Sequence, residues 1–400
     1  MLSDKVIFIL GISRFDGAFE STSYTVAKFL AEKNRVFYID YPYTWKDYFR
    51  NRDANFRKRK GAFARSSDGI LETSSANLKI IIVPPLLSIN FLPEGRFYRF
   101  LLKFNEQTIA NRIKKIIIKF RIQNHIFINS FNFHYPAVGH LVHAKLHVYH
   151  CVDPLIVPHD VKHGVISEEQ ILQNCDLVVC TSKQLYHEKL AMNPDTYFIP
   201  NAADVSLVSK VMHKETKVHH LLVGLKKPII GYFGNIERRI DFTLLQKVAE
   251  TLIEYSFVFA GPVDDKLVPA EFKEQHNVYF IGSIPHNQMP SILKGFDVAM
   301  IPFKKDAVSK TIFPLKLFEY LGSGKPVVAT NFNLDLVEFT HDTISYCSNA
   351  SEFILEIDEQ LKKDNEARQS MRIKVAAENS WQRRLTELSE LLHEYYRIKA

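Results

Sequence analysis

The 400-residue chain is short of several things. It has no apolar run of the length that crosses a membrane as a helix, which needs about 20 residues. Its N-terminus, MLSDKVIFILGISRFDG, has an apolar run that ends within a few residues, so it reads as a first β-strand and not as a signal peptide. There are four cysteines, Cys151, Cys175, Cys180 and Cys347, without a CxxC pair or zinc-like spacing. They are expected as reduced core thiols of a cytosolic protein. The dinucleotide fingerprint GxGxxG is missing, as is an Asp-x-Asp metal signature. Low-complexity tracts and obvious internal repeats are missing too, which argues against disordered and solenoid architectures.

What is present is an ordinary globular composition with an uneven charge. Residues 1–200 carry 26 Lys and Arg against 18 Asp and Glu, whereas residues 201–400 carry 25 against 26. The excess sits in KDYFRNRDANFRKRKGAFAR (46–65) and RFYRFLLKFNEQTIANRIKKIIIKFR (96–121), where Phe, Tyr, Leu and Ile are interleaved with the cations. Such mixtures suit an anionic membrane surface or a single-stranded nucleic acid, and the plain alternative is a pair of solvated helix faces.

Strand and helix patterns alternate along the whole chain, the mark of a mostly parallel sheet covered by helices. Strands are expected at KVIFIL (5–10), RVFYID (35–40), LKIIIVP (78–84), IFINS (126–130), KLHVYHCVD (145–153), LVVCTS (177–182) and YFIPN (197–201). The pattern restarts with PIIGYFG (228–234), SFVFAG (256–261), NVYFIG (277–282), DVAMIP (297–302), KPVVAT (325–330) and ISYC (344–347). The length suits two domains. We therefore expect a domain over 1–204, a linker over 205–227, a second domain over 228–380 and a final helix over 381–400 that could return to the first domain. Both would be Rossmann-like, doubly wound α/β domains facing a cleft, with ligands beyond the carboxyl ends of the strands.

The stretch FPLKLFEYLGSGKPVVAT (313–330) is the most informative. A proline suits a helix entry, four apolar residues supply a buried face, and Gly322 and Gly324 stop the helix before a buried strand. Lys316 and Glu319 then share one face near the helix N-terminus. Unpaired N–H groups, the helix dipole and a lysine together suit a phosphate, and a carboxylate one turn later can accept two ribose hydroxyls. An exposed i,i+3 ion pair is the plain alternative. A second turn, GYFGNIERRIDFTLL, offers Gly231 and Gly234 for close backbone approach, with Arg238 and Arg239 for bidentate phosphate contact.

Taken in order, GYFGNIERRIDFTLL, FVFAGPV, VYFIGSIPHNQMPSILKGFDVAMIPF and FPLKLFEYLGSGKPVVAT resemble the nucleotide-binding half of GT-B glycosyltransferases. The resemblance is to the glycosyltransferases group 1 kind of bacterial envelope polysaccharide transferases, with their teichuronic-acid and xanthan-type relatives. ILQNCDLVVCTSKQLYHEKL followed by YFIPNAADVSLV extends it into the first half. The resemblance implies that Lys316 binds the donor diphosphate, Glu319 the ribose, and Arg238 or Arg239 the diphosphate again. Gly11 to Gly17 (GISRFDG) match the loop that approaches donor and acceptor. Two positions depart from the pattern: Thr311 stands where retaining members carry their first glutamate, and Asn-Gly-x-Asp has become Asn201-Ala202-Ala203-Asp204. Xanthan-type relatives invert, using a first-domain aspartate as base, and Asp153 at a strand end matches that role. His150 and His134 lie nearby in sequence and read as structural.

The implied function is transfer of a sugar from a nucleotide-diphosphate donor, with a UDP-sugar as the first expectation, to a saccharide or lipid-linked acceptor in cell-surface polysaccharide synthesis. No cofactor, metal or nucleic-acid partner is implied beyond that donor. The expected location is cytoplasmic, at the inner face of the membrane. A GT-B nucleotide-sugar epimerase, or a non-catalytic membrane- or nucleic-acid-binding protein on the same scaffold, are the alternatives.

Overall fold

The computed structural model describes residues 1–17, 21–51 and 53–399; Arg52 of the first basic segment lies outside them. The chain forms two compact units, Met1–Pro200 with Leu385–Ala400, and Asn201–Arg384.

Among the described residues the first unit is built on eight strands: β1 (Val6–Gly11), β2 (Arg35–Ile39), β3 (Ile70–Glu72), β4 (Leu78–Ile81), β5 (Ile126–Ser130), β6 (Leu146–Cys151), β7 (Leu177–Cys180) and β8 (Thr196–Phe198). Their order is β3-β4-β2-β1-β5-β6-β7-β8, all parallel except β3, which runs antiparallel along β4. The central strands β5 and β6 are buried at every residue, as expected for a sheet covered on both faces. The direction of winding changes between β1 and β5, so the loops after those strands flank the switch point.

The second unit has six parallel strands: β9 (Ile229–Phe233), β10 (Ser256–Ala260), β11 (Val278–Gly282), β12 (Val298–Ile301), β13 (Val327–Thr330) and β14 (Ile344–Cys347). Their order, β11-β10-β9-β12-β13-β14, is the 3-2-1-4-5-6 arrangement of dinucleotide-binding sheets, with its switch point between β9 and β12.

Residues 205–227, expected as a linker, fold into this unit as a short helix (Val205–Val208) and two 3₁₀ turns. Val208, Val211 and Leu222 are buried in its core. Two glycines make room for them. A Cβ at Gly322 would lie 2.7 Å from Val208 Cγ2, and one at Gly295 would lie 2.5 Å from Leu222 Cδ1.

The chain's two ends of the second unit are stitched together. Ala203 bridges Ser380, its N–H donates to the Asn379 carbonyl, and the Trp381 N–H donates to the Ala203 carbonyl. The last helix, Trp381–Ile398, belongs to the first unit from Leu385 onward. There Ser389 Oγ accepts from the Leu2 N–H at 2.9 Å, and Tyr395 Oη donates to Asp195 at 2.7 Å.

Candidate donor site in the second unit

Three strand ends supply the floor. β9, β10 and β11 run into Gly234, Gly261 and Gly282, whose φ angles are +143°, +153° and +75°. Side chains rarely adopt such backbone, so glycine is needed there. Gly261 also needs its hydrogen for space, because a Cβ would lie 2.0 Å from the Gly234 carbonyl oxygen. The Gly234 N–H donates to Ala260 O, and the Gly261 N–H to Gly282 O, both at 2.8 Å. The three turns are thus fixed to one another.

The Leu315–Gly322 helix enters beside Gly234. Pro314 stands at its N-cap without a side-chain cap, so the first N–H groups depend on partners from elsewhere. Leu317, Phe318 and Leu321 are fully buried. Tyr320 locks the helix to the end of β9: its hydroxyl accepts from Phe233 N at 2.8 Å and donates to Phe233 O at 3.2 Å.

Lys316 therefore has a defined place. Its Nζ donates to Tyr232 Oη, lies 4.2 Å from the centre of the Tyr232 ring and 5.1 Å from that of Phe303. A Cβ at Gly234 would come within 2.7 Å of this Nζ. The salt-bridge alternative does not describe this lysine, which turns to the aromatic rings. Burial, reinforced by the nearby positive charge of Arg239, pushes the Lys316 ammonium down to about 7, against the smaller opposing effects of Glu319 and Glu237. Two cations held close together in a part-apolar corner are stabilised by an anion between them.

The two arginines of the ERRID turn differ. Arg239 pairs with Glu237 and lies 5.6 Å from the centre of the Phe303 ring, which Lys316 also approaches. Arg238 is half-exposed, with Glu237 at 3.7 Å. Ile240 bridges Phe303, and Lys304 N–H donates to Arg239 O at 2.7 Å, so the turn is tied to the segment after β12. Glu319 is largely buried, with His286 Nε2 3.8 Å from its Oε1. Thr311 is spent on its own 3₁₀ turn, its hydroxyl donating to Val308 O at 2.7 Å. Tyr232, Phe303, Tyr320, Glu237 and His286 were not singled out from the sequence. The alternation in GYFG, which points Tyr232 to one side of β9, is the only signal that could have raised the first.

The remaining candidates lie in the first unit. Gly11 ends β1 and packs against Tyr38, where a Cβ would lie 2.2 Å from the hydroxyl. Its carbonyl accepts from buried Asn132 Nδ2 at 2.9 Å, which joins the loops after β1 and β5. Between Gly11 and Gly17 the loop is held by Phe15 N–H on Asp40 and by Asp16 on Arg59. Exposed Gly17 closes it, donating to Arg14 O at 3.2 Å. Arg59 bridges Asp16 at 2.6 Å and Asp40 at 2.7 Å and is fully buried, so this cation of the 46–65 segment is not on the surface. Asp153 is exposed just beyond β6. His150 is buried with Nδ1 3.1 Å from Ser130 Oγ, and burial lowers it to about 4, as it does His134.

Comparison with known proteins agrees with this architecture. Residues 227–363 match the family model "Glycosyl transferases group 1". Over 213 residues the chain is 26% identical to the "Putative teichuronic acid biosynthesis glycosyltransferase TuaH" of Bacillus subtilis (strain 168), covering 49% of this chain and 53% of that protein. The chain thus spans about half the length of the curated relative it matches. Among solved structures, α,α-trehalose 6-phosphate synthase from Burkholderia multivorans superposes with a TM-score of 0.69 at 10% identity, covering 100% of both chains. Sucrose-phosphate synthase from Thermosynechococcus elongatus gives 0.64 at 15% identity, covering 98% of this chain and 100% of the other. Anabaena Alr3699/HepE in complex with UDP gives 0.63 at 14% identity, covering 98% and 100%. The two parallel-sheet units are those of the GT-B glycosyltransferase fold.

Proposed function

We propose that this GT-B chain, whose residues 227–363 carry the group 1 glycosyltransferase match, transfers a sugar from a nucleotide-diphosphate donor to a hydroxyl of a saccharide or lipid-linked acceptor. The observation that carries the reading is the meeting of Lys316, Arg239 and Gly234 at the β9/β12 switch point, where a diphosphate would neutralise both cations. UDP is the favoured nucleotide, supported by the UDP-bound neighbour of the same fold. Glu319, one turn on from Lys316, would hold the ribose. A role in envelope polysaccharide synthesis at the inner membrane face rests on the teichuronic acid relative and the basic segments of the first unit.

In this reading the donor diphosphate leaves as the acceptor oxygen attacks the anomeric carbon. Lys316 and Arg239 take up the charge that develops on the leaving group, and the chain needs no metal for that step. Asp153, in the first unit, would accept the acceptor hydroxyl proton as the new bond forms. Thr311, having no carboxylate, cannot take a glutamate's part, which favours inversion.

Incubation with UDP-sugars and candidate acceptors tests the reading. The expected result is UDP released in proportion to glycosylated product. Interconversion of free UDP-sugars without net UDP would favour the epimerase alternative, and failure to bind any uridine nucleotide would overturn the donor site.

A further inference from the structure

The helix Arg96–Lys119 has more apolar surface than its own unit uses. Tyr98, Leu102, Ile109, Ile113 and Ile116 face the core. Phe97, Phe100 and Phe104, at spacings of three and four, form a row on another face and are 65%, 55% and 52% exposed. Gln107 and Asn111 continue that row in polar form. Trp45, Phe49 and Phe91 are also exposed, the last two at 67% and 77%.

These rings stand on a fixed scaffold. Trp45, Leu87 and Phe104 line one groove of about 560 Å³ together with Arg65 and Lys115. The Trp45 N–H donates to Leu86 O at 2.9 Å. Buried Asn105 holds Leu87 from both sides, accepting from its N–H at 2.8 Å and donating to its carbonyl at 3.1 Å. Lys162 Nζ reaches the carbonyls of Asn90 and Phe91 at 3.3 and 3.2 Å. Trp45 and Phe49 stack with centroids 6.0 Å apart.

The segments that carry these rings also carry exposed cations, and Arg65, Arg112 and Lys115 line the groove itself. Lys46, Arg65, Arg96 and Lys103 are exposed. The carboxylates of these segments are engaged: Asp47 in the Thr44 capping box, Asp53 on Phe56 N–H, buried Glu106 on Ala137 N–H, and Glu94 with Arg99 and His163.

We propose that this face docks on an anionic lipid bilayer by inserting Trp45 and the Phe97–Phe100–Phe104 row among the acyl chains, with the surrounding cations on the headgroups. The inference rests on the membrane part of the proposed function and deepens it. Exposed rings alone would suit a protein partner; rings flanked along the chain by exposed lysine and arginine complement the negative interface of a bilayer. Insertion makes the attachment apolar as well as electrostatic, so part of it survives salt that screens the charges.

The chain has two tryptophans, Trp45 and Trp381, so a Trp381→Phe variant reports on Trp45 alone. Its fluorescence is followed with phosphatidylglycerol vesicles, with neutral phosphatidylcholine vesicles, and with anionic vesicles brominated in the acyl chains. The proposal expects a blue shift and quenching with anionic vesicles, partly kept at high salt. The triple change Phe97→Ser, Phe100→Ser and Phe104→Ser should weaken vesicle binding by about 100-fold while UDP binding stays at the parent level. Unquenched Trp45 with salt-labile binding that ignores the triple change would overturn insertion and leave the membrane reading standing. No binding to any vesicle would overturn both. So would dimerisation, or oligonucleotide binding, that the triple change abolishes in the absence of lipid.

Discussion

If a donor diphosphate sits against Lys316 as proposed, nucleotide binding is a proton-coupled event. Unliganded, its ammonium is pushed down to about 7 by burial and by Arg239. A diphosphate beside it favours the charged form and raises the pKa. Below pH 7 the lysine is already protonated, so binding takes up little. Above pH 7 the free protein has lost the proton that the complex wants back. Uptake should therefore approach one proton, and affinity should fall by about tenfold per pH unit until the pKa of the complex is reached. Between pH 7.5 and 9 that is about thirtyfold. Calorimetry with UDP in buffers of different ionisation enthalpy measures both quantities, and working above pH 7.5 avoids a terminal phosphate titrating near 6. Lys316→Arg, charged throughout, should flatten the profile. The trend in folding stability has the opposite sign. The unfolded lysine, near 10.5, holds its proton while the folded one does not, so this group's contribution rises with pH from about 7 to 10.5. Proton uptake near zero at pH 8.5, with affinity level from 7.5 to 9, would refute the reasoning.

Three further outcomes are expected. Gly234→Ala should lose UDP affinity through a strained backbone costing about 1–3 kcal/mol and a displaced Lys316, while Gly261→Ala, meeting a carbonyl, should lose more in thermal stability than Gly234→Ala. Replacing Arg59 with Met leaves Asp16 and Asp40 without their buried partner and should cost about 3–5 kcal/mol in denaturant unfolding; an unchanged midpoint would show that the pair does not hold the loop. Asp153→Asn should keep UDP affinity and lower turnover by about 100-fold or more, whereas equal losses in both would make Asp153 structural.

The sheets were legible in the sequence because buried parallel strands are short β-branched runs, and IFINS coincides with β5 to the residue. β3 escaped because three residues on an antiparallel edge give no period to read. Residues 205–227 looked like a linker because their anchors, Val208, Val211 and Leu222, are single apolar residues among polar ones. Their burial depends on Gly295 and Gly322, far off in sequence. The place of Lys316 on its helix was legible, but the Tyr232 it meets lies 84 residues earlier, beyond any local pattern. Arg59 shows the converse: it reads as one cation in a basic run, yet two distant aspartates draw it into the interior.

The stitch between Ala203 and Ser380 has a consequence for modularity. The second unit is an uninterrupted segment whose two ends are already joined, inserted into a first unit that begins and ends the chain. It can be exchanged as one cassette without reordering the rest, provided the Trp381–Ile398 helix stays continuous across the junction. If the second unit holds the donor as proposed, a new donor specificity could be grafted by a single exchange of residues 201–384. Trimming the C-terminus, by contrast, would strip Ser389 and Tyr395 from the first unit and leave the second unit whole.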